Sequence, residues 1–130
     1  MLSHVHIGIH DFDRAFAFYA AVLPELGWRL KFVERARPWA GWQPGAADRP
    51  LLLVGTPYDR APASAGNGQM VALLAPSRAA VDAFYDLALA HGATGDGEPG
   101  LRTEYHPHYY GAYLRDPDGN KLGVCCHHPG

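Results

Sequence analysis

Histidine and cysteine gather at the two ends of this chain. "SHVHIG" carries His4 and His6, and "KLGVCCHH" carries Cys125 and His127. In an extended strand, residues two apart point to the same side. His4 therefore shares a face with His6, and Gly123 shares one with Cys125 and His127. Two imidazoles, a thiolate and a third imidazole form a nitrogen and sulfur set suited to zinc. That reading needs His4, His6, Cys125 and His127 to meet. The competing reading makes His127 and His128 frayed terminal residues and Cys125 a core filler. An imidazole that titrates near neutrality can also act as a general base without any metal. The other histidines have ordinary readings. His10 ends a strand, His91 lies near a helix C-terminus where positive charge suits the dipole, and His106 and His108 flank Pro107 in a loop.

Bulk composition narrows the function classes. The 130 residues are 48% hydrophobic and 18% charged, with 11 basic and 13 acidic residues and a net charge of −2. This is the balance of a folded globular protein, not of a disordered one. No basic stripe exists to neutralise phosphates, so no nucleic-acid partner is expected. The longest apolar run, Ala15 to Leu23, is too short to span a bilayer, so no membrane partner is expected. "MLSHVHIGIHDFDR" lacks a basic segment before an apolar core, and no signal peptide is expected. Adjacent Cys125 and Cys126 would strain a disulfide between them, so two reduced thiols and a cytoplasmic location are expected.

The chain reads as one unit written twice. "HVHIGIHDFDRAFAFYAAVLPELG", from His4, aligns without a gap on "MVALLAPSRAAVDAFYDLALAHGA", from Met70. Each copy opens with a short apolar strand and an N-cap residue, Asp11 or Ser77. Helical stripes follow: Ala15, Phe18, Tyr19, Val22 and Leu23 in the first, Val81, Phe84, Tyr85, Ala88 and Leu89 in the second. Pro24 and Gly27 close the first helix, and Gly92 suits the position just beyond the second. Strand-like pieces come next. They are "WRLKFVE", Trp39 to Trp42 and "LLLVG" in the first copy; Leu101 to Tyr105, "YYGAYLR" and "KLGVCC" in the second. The expected fold is α+β, a doubled βαβββ in one domain over 1–130. Module one covers about 1–57, a linker about 58–68 and module two about 69–128.

A doubled βαβββ with "HVHIGIHDFDRAFAFY" in front and "YYGAYLRDPDGNKL" behind resembles the vicinal oxygen chelate superfamily. Glyoxalase I, bleomycin-resistance proteins, fosfomycin-resistance proteins and extradiol dioxygenases belong to it. The resemblance covers nearly the whole chain. It implies two tandem modules making a curved mixed sheet around a central cavity, a divalent metal held by residues of the first and last strands of each module, and a homodimer. His4 matches the first-strand ligand. Met70 stands where relatives often carry His, Gly123 stands at the final-strand carboxylate, and "LLLVG" has no carboxylate either. One imidazole cannot supply the three or so protein ligands of a catalytic zinc, and a thioether suits harder ions poorly. A buried carboxylate without a cation costs several kcal/mol, so a metal-free pocket is better without one. No cofactor is expected. A divalent metal enters only through a relocated site that adds His6, Cys125 and His127 to His4.

The expected catalytic set is His4, His6 and Tyr113. Tyr113 takes its place from the resemblance to fosfomycin-resistance proteins, and it also shares strand parity with Tyr109 and Gly111. Trp42, Met70, Tyr113, Gly123 and Cys125 are the expected ligand-binding residues, with Trp42 and Met70 as apolar walls. The expected function is binding of a small molecule, as in bleomycin-resistance proteins, without the usual metal centre. The alternative is a glyoxalase-type lyase or isomerase acting on a small carbonyl compound, metal-free or with a relocated ion.

Overall fold

The computed structural model describes all 130 residues. β1 (His4–Gly8), α1 (Phe12–Val22), β2 (Arg29–Glu34), β3 (Trp39–Gln43) and β4 (Leu51–Gly55) make the first module. β5 (Val71–Leu74), α2 (Arg78–Ala90), β6 (Thr94–Leu101), β7 (Tyr110–Arg115) and β8 (Lys121–Cys126) make the second. The strand orders β1-β4-β3-β2 and β5-β8-β7-β6 are the same pattern twice. In each, the first strand runs parallel to the last and the other pairings are antiparallel. The fold is α+β with two four-stranded mixed sheets. They are not hydrogen-bonded to each other and do not close into a barrel, so the single curved sheet of the sequence reading is two sheets.

The helix starts follow the sequence. Asp11 and Ser77 cap α1 and α2 by accepting from the backbone N–H of Arg14 and Ala80. A 3₁₀ turn, Leu23–Leu26, extends α1 and ends at Gly27, whose φ of 87° requires the left-handed region. Gly92 takes a φ of 98° just past the His91 cap of α2. The His91 ring donates from Nδ1 to the Leu87 carbonyl at 2.9 Å.

α1 packs on β4, α2 packs on β6, β7 and β8, and the two helices pack on one another. The helix pair lies against one face of each sheet. Phe18, Tyr19, Phe84 and Tyr85 fill that core, as their helical spacing requires. Ile7, Trp42, Leu52, Val54, Leu114, Leu122 and Val124 supply the sheets' side of it. Each such side chain stabilises the fold by about 1.5–3 kcal/mol relative to an exposed one.

One expected strand is misplaced. β6 is Thr94–Leu101, and residues 102–105 form a turn. "TGDGEPGL" carries three glycines and a proline, which intrinsic preference keeps out of strands. Pairing with β7 holds it nonetheless, through register shifts at Gly95/Gly97 and Gly97/Gly100.

A buried polar latch ties the β7–β8 turn to module one. Asp116, 3% exposed, accepts from the Tyr19 hydroxyl at 2.6 Å, from Asn120 Nδ2 at 3.0 Å, and from the backbone N–H groups of Asp118 and Asn120. Burial, then the Asp116 carboxylate, pushes the Tyr19 phenol well above its ordinary value, so it stays a donor. Asp118 accepts from the His10 backbone and the Arg14 guanidinium, and Asn120 donates to the Gly8 carbonyl. "DPDGN" is thus a hairpin turn whose side chains reach β1 and α1.

Candidate functional site

Residues that alternate with the core positions form an open face on each sheet. On the second sheet this face is a continuous row of register partners: Ala72 opposite Gly123, Gly123 opposite Tyr113, and Tyr113 opposite Gly97. A Cβ placed on Gly123 would lie 3.2 Å from Ala72 Cβ and 3.4 Å from both Met70 Sδ and Tyr113 Cδ1. The Ala72, Met70 and Tyr113 side chains therefore already close over the glycine, which permits their near approach.

The wall continues along β7. Tyr109 and Tyr113 join hydroxyls at 2.7 Å, and the Tyr109 hydroxyl also meets Cys125 Sγ at 3.0 Å. Gly111 makes this possible, because the Tyr109 ring and Cys125 Sγ occupy the space a side chain there would need. Burial, then the bonds to Cys125 and Tyr113, drives the Tyr109 phenol far above its ordinary value. Burial likewise pushes the Cys125 thiol up. These are neutral hydrogen-bonding groups, not prepared nucleophiles. Arg102 reaches in from the loop after β6, donates to the carbonyls of Glu98, Gly100 and Gly111, and holds its guanidinium 4.9 Å from the Tyr113 ring centre. The Lys121 ammonium lies 5.6 Å from the same ring.

His106 and His127 meet Nε2 to Nδ1 at 2.8 Å, one ring donating to the other, and both meet Tyr109 edge-on. His127 is exposed but has these two partners. His108 stays exposed.

The expected set divides. Met70, Tyr113, Gly123 and Cys125 come together on the second sheet. His4 and His6 lie on the open face of the first sheet, paired in register with Leu51 and Leu53. Partial burial, then Arg37, then His4 lower the His6 imidazole, which favours its neutral form. His6 does reach the second module. Together with Met70, Gln69, Asn120 and Lys121 it lines a small pocket of about 120 Å³.

Two expectations are corrected. Trp42 is no cavity wall: it is 1% exposed and packs on Phe16 and Tyr19 of α1. The open-face indole of β3 is Trp39, which stacks edge-on with Phe32, since a shift in face reverses every side chain of a strand. The relocated metal set does not assemble: Cys125 is bonded to Tyr109 and His127 to His106, apart from His4 and His6. Within the chain no three His, Cys, Asp or Glu side chains converge as metal ligands. Cys125 is held as a thiol by Tyr109, and Gly123 offers no donor atom. The residues of one chain do not fit the divalent ion implied by the resemblance.

Sequence reasoning left out Lys121, Gln69 and Arg102. Lys121 was accessible to it, since it alternates with Gly123 and Cys125 on β8. Gln69 and Arg102 come from loops whose course no local pattern encodes.

A larger groove of about 730 Å³ runs between the free edges of β1 and β5, lined by Val5, Leu26, Trp28, Leu51, Leu73 and Leu74 among others. No helix is long and apolar enough to cross a membrane.

Residues 1–124 match the family model of the Glyoxalase/Bleomycin resistance protein/Dioxygenase superfamily. A glyoxalase/bleomycin resistance protein from Albidiferax ferrireducens T118 is 34% identical over 99% of each chain, with a TM-score of 0.84. A glyoxalase/bleomycin resistance protein/dioxygenase family enzyme from Burkholderia phytofirmans PsJN is 22% identical over 97% of this chain and 98% of its own, with a TM-score of 0.71. TioX from Micromonospora sp. ML1 is 19% identical over 98% and 99%, with a TM-score of 0.67. The last two likenesses concern the fold alone. No curated protein matches the chain. The matched model and the Albidiferax likeness make this chain a member of the glyoxalase/bleomycin resistance protein/dioxygenase superfamily.

Proposed function

We propose that this protein binds a small aromatic or amphipathic molecule on the open face of its second sheet, without a metal of its own. The observation that carries the reading is the aromatic surface of Tyr109 and Tyr113, backed by Met70 and Ala72 where they close over Gly123. Binding sites are mostly apolar with a few placed polar groups. Here the polar groups are the Tyr113 hydroxyl together with the Tyr109 hydroxyl and the Cys125 thiol, which burial keeps neutral. The larger groove is mostly apolar, with Glu25 and Arg49 among its lining, and we assign it to a dimer contact. N-phenyl-1-naphthylamine, a neutral aromatic probe, is expected to bind with a fluorescence rise that saturates at one probe per chain. Absence of saturable binding contradicts the proposal.

A second reading, a lyase or isomerase acting on a small carbonyl compound, is favoured by one observation. His6 is held toward its neutral form beside the pocket it shares with Met70 and Lys121, and a neutral imidazole is a competent general base. His4 and Tyr113 complete its proposed machinery.

A homodimer belongs to the same proposal. β1 and β5 are unpaired edges beside the apolar groove, and Leu74 on β5 is 70% exposed. A second copy laid over this groove would cover both edges and the apolar patch between them. Leu74→Glu is expected to turn a dimer into a monomer in sedimentation velocity, and a monomeric parent at tens of micromolar contradicts it. The proposed cytoplasmic setting rests on Cys125 and Cys126, both free and buried.

A further inference from the structure

We infer that the small pocket between the two modules is an anion subsite, and that the ligand is a small organic acid with an apolar or aromatic body. The inference rests on the binding function proposed above and specifies its ligand. At about 120 Å³ the pocket is smaller than the roughly 300–1,000 Å³ of sites that enclose a whole ligand. It suits one head group. His6, Gly66, Gln69, Met70, Asn120 and Lys121 line it, and no carboxylate does.

The local charge is positive. The Lys121 ammonium lies 3.2 Å from Asp96, but the same carboxylate also lies 3.5 Å from Arg115 Nε. One negative charge thus serves two cations and leaves one positive charge over. Arg37 acts on His6 and has no carboxylate partner, its guanidinium lying on Trp39 instead. In a partly desolvated pocket such an excess attracts an anion more strongly than it would in water. Set against these two charges, the Asp116 carboxylate that accepts from the lining Asn120 leaves one positive charge, which matches a monoanion such as a carboxylate.

The pocket also borders the tyrosine wall through Met70. Met70 lines the pocket, and its Sδ is 3.4 Å from the position of a Gly123 Cβ, as is Tyr113 Cδ1. Lys121 and Gly123 alternate onto the same face of β8. A carboxylate beside Lys121 and Gln69 therefore sends its body across Met70 and Gly123 onto Tyr113 and Tyr109.

Isothermal titration of the intact protein with 4-phenylbutyrate and with 4-phenylbutyramide tests this. The acid is expected to bind at least tenfold tighter than the amide. Lys121→Met, which keeps the aliphatic stem, is expected to remove the preference by weakening the acid at least tenfold more than the amide. Lys121→Arg is expected to keep the preference, which separates loss of charge from loss of fold. Equal affinity for acid and amide in the parent overturns the inference, and so does a preference that persists in Lys121→Met. If neither probe binds while N-phenyl-1-naphthylamine does, the anion subsite is wrong and the binding function stands. If the naphthylamine fails as well, the binding function itself is wrong.

Discussion

Replacing Asp116 by alanine is expected to lower the unfolding free energy by about 3–5 kcal/mol. The substitution removes one carboxylate and strands four donors: the Tyr19 hydroxyl, Asn120 Nδ2 and two backbone N–H groups. The Tyr19 hydroxyl is fully buried, where water cannot easily replace the lost acceptor, and the other three donors are partly buried. Tyr19→Phe removes only the 2.6 Å bond and should lose less, about 1.5–3 kcal/mol, the range for a hydrogen bond to a charged group. A domain of this kind is stable by roughly 5–15 kcal/mol in all, so Asp116→Ala brings it close to unfolding. Urea denaturation followed by tryptophan fluorescence measures both. A change below about 1 kcal/mol for Asp116→Ala would mean that the latch between the modules contributes little.

A side chain at Gly123 should disturb the binding face at a modest cost to the fold. Gly123 has no left-handed backbone angle, so β8 accepts a side chain there. A methyl group would lie 3.2–3.4 Å from Ala72, Met70 and Tyr113, tighter than ordinary contact, so these side chains must give slightly. The branches of valine would push Met70 and the Tyr113 ring out of place. Gly123→Val is expected to weaken N-phenyl-1-naphthylamine binding at least a hundredfold, about 2.7 kcal/mol, and Gly123→Ala to weaken it less. Overpacking on this face should destabilise the chain by no more than about 1–3 kcal/mol. Unchanged affinity in Gly123→Val would place the ligand elsewhere.

Much of this face is legible from period-two alternation. Gly123 with Cys125, and Tyr109 with Gly111 and Tyr113, share the sides that strand parity assigns them, because β7 and β8 keep regular register from Tyr110 to Lys121. Parity says nothing about which sheet a strand joins. His4 and His6 were correctly paired with each other, yet the zinc set built on them spans two sheets that share no hydrogen bond. Trp42 failed for a related reason. "WAGWQ" places its two indoles on opposite faces of β3, and only the position of α1 decides which is buried. β6 was displaced because tertiary pairing overrides the poor strand preference of its glycines. The turn of "DPDGN" was readable, but its partner Tyr19 lies 97 residues away, and nothing local announces a contact at that distance.

The central claim is that the ligand lies on the second sheet around Gly123, with its charged end toward Lys121. Backbone amide shifts of isotope-labelled protein, followed during titration with 4-phenylbutyrate, test it most directly. The account predicts saturable shifts centred on Met70, Tyr113, Lys121 and Gly123. Shifts confined to Val5, Trp28 and Leu73, along the apolar groove, would contradict it.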